Sequence, residues 1–215
     1  MRKLYPPTFR WCFQNNNILK YSLLLTLFLA GCSQGMNEDE NVKPKKFPII
    51  KLDKENSCNY SGLLTTNSVR SFSSDNDAKQ ALEKIMKHTG LPANFELTAS
   101  DVDNAAATIY ENKRYILYSQ LFMHDVQNKT KNIYGAYSIL AHEIGHHLCG
   151  HTLLNSESRP DIELEADRFS GFILGKMGAT MVETCLAINE FGSSGASLTH
   201  PARKTRIAAI INGWK

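Results

Sequence analysis

The sequence has little charge imbalance to attract a charged partner. Its formal net charge is +3, but Arg2, Lys3, Arg10 and Lys20 all fall in residues 1–31, which hold no acid. Beyond them 20 basic residues stand against 21 acidic ones, so the body of the chain gives no electrostatic reason to expect nucleic acid. Long apolar runs are also missing. The run Tyr21–Leu29 is too short to span a bilayer as a helix, which takes about 20 residues. No internal repeat or low-complexity tract is present. Cysteine is sparse, five in all, which excludes a disulfide scaffold. What is there is a globular composition, 42% hydrophobic and 21% charged. Its 215 residues suffice for one good-sized core or at most two small ones.

The basic start and the apolar run have the form of an export signal: a charged segment, then a short hydrophobic one. The run closes on Leu29-Ala30-Gly31-Cys32, which resembles the lipobox of bacterial lipoproteins. The resemblance implies cleavage before Cys32 and lipid on its thiol, with the small residues letting a signal peptidase approach the backbone. Multiple acyl chains make such an anchor stable. The expected organisation is a signal over 1–31, a lipid-anchored tether over 32–47 rich in charge and poor in apolar residues, and a folded domain over 48–215. The expected location is the bacterial envelope, at the outer membrane facing the periplasm or at the cell surface. Ser33 is compatible with outer-membrane sorting. Cys58, Cys149 and Cys185 then allow one bridge with one thiol left over, and the sequence does not choose the pair.

Ile49, Ile50 and Leu52 suggest a short extended piece, followed by a loop-rich stretch to Asp75. A helix is expected over 75–89, with Ala78, Leu82, Ile85 and Met86 as its apolar stripe and Gly90 as its stop. A strand is expected over 95–98. A hairpin should join 106–110 to 114–118 through Glu111-Asn112-Lys113. From Asn132 the apolar period becomes helical through Ile133, Tyr137, Leu140 and Ile144. Further helices are expected from Pro160 to Gly178, from Met181 to Phe191 and from Pro201 to Ile211. A small sheet followed by helices makes the class α+β.

The chemistry concentrates in two of these helices. His142-Glu143-Ile144-Gly145-His146 is an HExxH pattern, and on a helix residues four apart share a face, so both imidazoles can reach one ion. Glu143 can flank a metal-held water without being spent as a ligand. Cys149 is too far along the axis, roughly 10 Å from His142, to complete the set. His147 and His151 form another i,i+4 pair, but no carboxylate follows the first and Gly150 interrupts the helix. They read as groups on the surface or behind the ligands. Glu163 fits better: Glu163-Leu164-Glu165-Ala166-Asp167 opens the next helix, after enough chain for a turn and an antiparallel return. Asp167, four residues on, can accept a hydrogen bond from a ligand histidine, and Ala166 lets the helices approach.

HExxH followed by ExxAD resembles the gluzincin family of HtpX heat-shock proteases, CAAX prenyl proteases and periplasmic BepA-like proteases. Asn104-Ala-Ala-Ala107, Thr199-His200-Pro201 and Arg206-Ile207 look like the same family, so the likeness covers roughly residues 75–215. It implies a helical zincin core with HExxH on the active-site helix. It also implies one zinc ion per chain on His142, His146 and Glu163, with Glu143 as general base. His200 would be a transition-state stabiliser or a latch on the metal. The chain departs from the pattern in lacking transmembrane helices and in a shorter gap between the two motifs. The activity implied is hydrolysis of peptide bonds in extended or misfolded protein substrates, with the hairpin 106–118 as the edge a substrate strand could join. Two other readings stand beside it. A deformylase or amidase would need an upstream cysteine ligand, and Cys58 lacks that context. The other is a lipoprotein binding or chaperone module with a latched or inactive zinc site: intact Glu143 argues against a dead enzyme, while latency is compatible with every residue. Sequence leaves substrate preference and oligomeric state open.

Overall fold

The computed structural model describes residues 75–153 and 159–215. The expected signal, lipid site, tether, the extended piece at 49–52 and Cys58 lie outside the described residues.

Helix α1 spans Asp75–Thr89 and buries Ala78, Ala81, Ile85 and Met86, an i, i+3, i+4 stripe. It stops at Gly90, whose φ of +71° suits a residue without Cβ. Strands β1 (Glu96–Ala99), β2 (Ala105–Tyr110) and β3 (Lys113–Tyr118) form one sheet in the order β1-β3-β2. The hairpin loop is shorter than its sequence suggests. Lys113 pairs with Tyr110, leaving only Glu111 and Asn112, both at positive φ, to make the turn. β1 runs parallel to β3, with Glu96 opposite Tyr115 and Ala99 opposite Tyr118. That makes β3 the central strand and buries Ile116, Leu117 and Tyr118. Among the described residues, β2 has no strand partner on its outer side.

Residues 120–130 form a helix that the sequence pattern does not announce. In α2 (Gln120–Thr130) the Ser119 hydroxyl accepts the Phe122 N–H, and Lys131 closes the helix in the left-handed region at φ 52°. Its buried face is Phe122, Met123 and Val126.

Helix α3 (Ile133–Leu148) is capped by Asn132 Oδ1 on Tyr134 N and lies in the middle of the molecule, with Gly135 through His147 buried. It ends at Cys149 and Gly150, the latter at φ +79°, and a single 3-10 turn follows at His151–Leu153. Helix α4 (Pro160–Lys176) has Pro160 in its first turn, where the missing N–H costs nothing. It returns antiparallel along α3: Ser170 Oγ donates to the Ser138 carbonyl near one end, and Glu163 reaches His146 near the other. A Cβ on Gly145 would lie 3.2 Å from the Ala166 Cα, so the two small residues set the close crossing.

The helix expected over 181–191 is broken at Cys185 into α5 (Met181–Thr184) and α6 (Leu186–Phe191). A Thr180–Glu183 capping box starts α5. Helix α7 (Arg203–Trp214) begins after Pro201, because Ala202 is still extended. It lies hard against α4: a Cβ at Gly171 would run into the Ile210 carbonyl, and one at Gly213 into the Arg168 carbonyl. Ile85, Ile116, Phe122, Ile139, Leu140, Ile144, Ile173 and Ile188 belong to one hydrophobic core shared by sheet and helices. The class is α+β, and no described helix is long and apolar enough to cross a membrane.

Candidate metal centre

The core packing of α3 against α4 turns three donor side chains towards one point. His142 Nε2 and His146 Nε2 lie 3.1 Å apart, one turn from each other on the buried face of α3. Glu163, in the first turn of α4, places Oε2 3.3 Å from His142 Nε2 and Oε1 3.5 Å from His146 Nε2. A tetrahedral ion with bonds of about 2.0–2.1 Å separates its ligand atoms by roughly 3.3–3.4 Å. The donor set has that spacing, so these three buried residues could hold a metal ion.

Electrostatics keeps the donors in ligating form. Burial, reinforced by neighbouring His142, lowers the His146 pKa to about 3, leaving the imidazole neutral with a lone pair free. Burial works to raise the Glu163 pKa. The neighbouring His142, His146 and His200 outweigh it and hold the carboxyl well below its ordinary range.

Asp167, one turn along α4 from Glu163, brings Oδ1 to 2.9 Å from His142 Nδ1. The carboxylate is itself gripped by Arg206 of α7, whose Nε and Nη2 donate to its two oxygens at 2.8 Å each. Burial pushes the Asp167 carboxyl up, and the Arg206 charge and hydrogen bonds bring it down past its ordinary value. The sequence gives no role to Arg206. A signal existed, because it shares the buried stripe of α7 with Ala209 and Ile210, where an aliphatic residue would be the default.

Glu143 is buried beside His142, and its Oε2 accepts the Ala107 N–H of β2 at 2.8 Å. The free edge of the sheet therefore abuts the site. His200, in the loop before α7, is also buried there, its Nε2 3.6 Å from Glu163 Oε2. That nitrogen makes no hydrogen bond among the described residues, while Nδ1 lies 2.7 Å from the Thr199 hydroxyl. Burial lowers the pKa of His200, against an upward pull from Glu163.

His147 and His151 are not on the surface. His147 Nε2 donates to the Tyr115 carbonyl at 2.9 Å, Nδ1 pairs with the Thr152 hydroxyl, and its ring stacks on Phe95, so it ties α3 to the sheet. Burial lowers its pKa to about 4. His151 is buried against His146. Cys149 is disulfide-bonded, and Cys185 is a free, buried thiol.

Comparison of the chain with protein-family models, curated proteins and solved structures finds no match. The functional reading rests on the residues and their geometry.

Proposed function

We propose that the protein is a zinc metalloendopeptidase acting on extended or misfolded proteins at the bacterial envelope, held there by lipid on Cys32. The donor set favours zinc, since two histidines and one glutamate leave a fourth position open, the ligand pattern of catalytic rather than structural zinc sites. The likeness of HEIGH and ELEAD to the gluzincins points the same way. The observation that carries the reading is Glu143. It is a buried carboxylate adjacent in sequence to a ligand and outside the ligand set, the position a general base needs.

A zinc ion held there would supply Lewis acidity, polarising the scissile carbonyl and acidifying the attacking water. Glu143 takes the proton of that water and returns it to the departing amine. Its hydrogen bond from Ala107 fixes the carboxylate against β2. By the alternation of an antiparallel pair, Ile109 presents its N–H and C=O on the same free edge, where a substrate strand can pair. Asp167, fixed by Arg206, keeps His142 in the form with Nδ1 protonated and Nε2 presented to the ion.

The full-length protein in detergent should contain one zinc per chain and digest casein. Glu143→Gln should keep the zinc and lose about 10²–10⁴-fold in rate. One observation favours a second reading, a binding module with a latched site: the buried, unbonded Nε2 of His200 beside Glu163. A latch predicts that His200→Ala raises activity, whereas a stabiliser of the oxyanion predicts a fall. A zinc-loaded wild type that cleaves nothing even after His200→Ala would sink the protease and leave the module. The anchor is tested separately: a palmitate analogue should label wild type, and equal labelling of Cys32→Ala would remove it.

A further inference from the structure

The two ligand histidines are held from behind by different groups. His142 has Asp167 and Arg206. His146 has His151, whose Nδ1 lies 3.0 Å from His146 Nδ1, and behind His151 stands Glu165, with Oε2 3.2 Å from His151 Nε2. Cys149 is the third member of this cluster, with donor atoms of all three within 4.8 Å. Its sulfur is committed to a disulfide, so the group is not a second thiolate metal site. His151 and Glu165 remain, aimed at a ligand.

We propose that His151 and Glu165 are positioning residues that hold His146 with Nδ1 protonated and Nε2 presented to the metal. The inference rests on the metal-site reading above. One proton arrangement satisfies every atom. If His146 Nε2 keeps its lone pair for the ion, Nδ1 carries hydrogen and must donate. Its partner His151 Nδ1 must then be bare, which puts the His151 proton on Nε2, where Glu165 accepts it. The opposite tautomer of His151 would bring two N–H groups face to face at 3.0 Å. The 3-10 turn at His151–Leu153 is what carries His151 back over the end of α3, and Glu165 sits between Glu163 and Asp167 on α4. Outer carboxylates and hydrogen-bonded partners of this kind fix ring orientation and raise ligand basicity.

The test uses the full-length protein in detergent, labelled with ¹⁵N-histidine, and zinc affinity measured by chelator competition. In wild type, His146 should show a protonated Nδ1, and His151 a protonated Nε2 with a bare Nδ1. His151→Leu should weaken zinc binding by about 10–100-fold. His151→Gln, whose amide oxygen can accept the His146 proton, should recover most of that loss, which a role in packing alone would not predict. Should His151→Leu fail to fold, as urea unfolding would show, the wild-type tautomer decides. A His151 protonated at Nδ1, or Leu and Gln variants with equal zinc affinity, would overturn the inference while leaving the metal site standing. A wild type that binds no zinc would overturn both.

Discussion

Arg206→Ala is the substitution whose consequences the structure specifies most fully. Arg206 and Asp167 are each 2% exposed and joined by two hydrogen bonds of 2.8 Å. Removing the guanidinium leaves a carboxylate buried without its counter-ion, a loss of about 3–5 kcal/mol for pairs of this kind. The penalty should depend on pH in a defined direction. In wild type the Asp167 pKa is lowered, so its contribution is present above the ordinary carboxyl range and lost as pH falls through the lowered value. In the variant only His142 is left to oppose burial, and the pKa rises. The variant then gains stability as pH falls below that raised value and loses it as pH rises. Urea unfolding with metal chelated should therefore show a full penalty at pH 8 and a smaller one at pH 5. Pairing Arg206→Met with Asp167→Leu removes both charges and should restore most of the stability. It should not restore zinc affinity, which stays down about 10–100-fold because His142 Nδ1 has lost its acceptor. A penalty below about 1 kcal/mol at pH 8, or one equal at both pH values, would refute the reasoning about the buried pair.

Gly171→Ala should cost at least about 1–3 kcal/mol in urea unfolding, because its Cβ meets the Ile210 carbonyl and no flexible side chain can yield. A cost under about 0.5 kcal/mol would mean that α4 and α7 are not in backbone contact. His147, with its pKa lowered from 6.5 to about 4, is neutral in the fold over a range where the unfolded chain takes up a proton. Above pH 6.5 both states are neutral, and stability is lost as pH falls towards 4. The advantage of wild type over His147→Gln should thus shrink by about 3 kcal/mol across that window, with metal chelated; an unchanged difference would place His147 in water.

Helices with both a stripe and a punctuating residue could be read from sequence: α1 with Gly90, α3 with Asn132, α4 with Pro160. So could the sheet-then-helices order. Helix α2 was not legible. The helix is only eleven residues long, its apolar stripe is just Phe122, Met123 and Val126 with polar residues between, and its Ser119 cap resembles any loop serine. The break at Cys185 and the extended Ala202 before α7 are single-residue backbone departures, which no hydrophobic period reports. Residues four apart on one helix, such as His142 and His146, or Glu163 and Asp167, follow from helical geometry. Arg206, 39 residues beyond Asp167, and His151, folded back by one 3-10 turn, could be placed only once the chain path was known.

The charges around the site fit a divalent ion. Glu143, Glu163 and Asp167 are buried carboxylates, and Arg206 is the buried lysine or arginine among the described residues. Burial keeps His146 neutral, and it lowers His200 as well. Arg206 is committed to Asp167 by both of its short hydrogen bonds, so that pair balances itself and Asp167 is not available as a ligand. Glu163 keeps its negative charge, its carboxyl held well below the ordinary range, and the Glu143 carboxyl is buried beside His142. A buried charge without a partner costs several kcal/mol. A doubly charged cation held by Glu163 and the two imidazoles would offset it. Glu143, pinned to Ala107 rather than drawn into the ligand set, keeps a carboxylate within the field of that ion. α3 supplies two imidazoles and the Glu143 carboxylate, α4 the Glu163 oxygens and the Asp167 carboxylate behind His142, and α7 the cation that lets Asp167 stay charged.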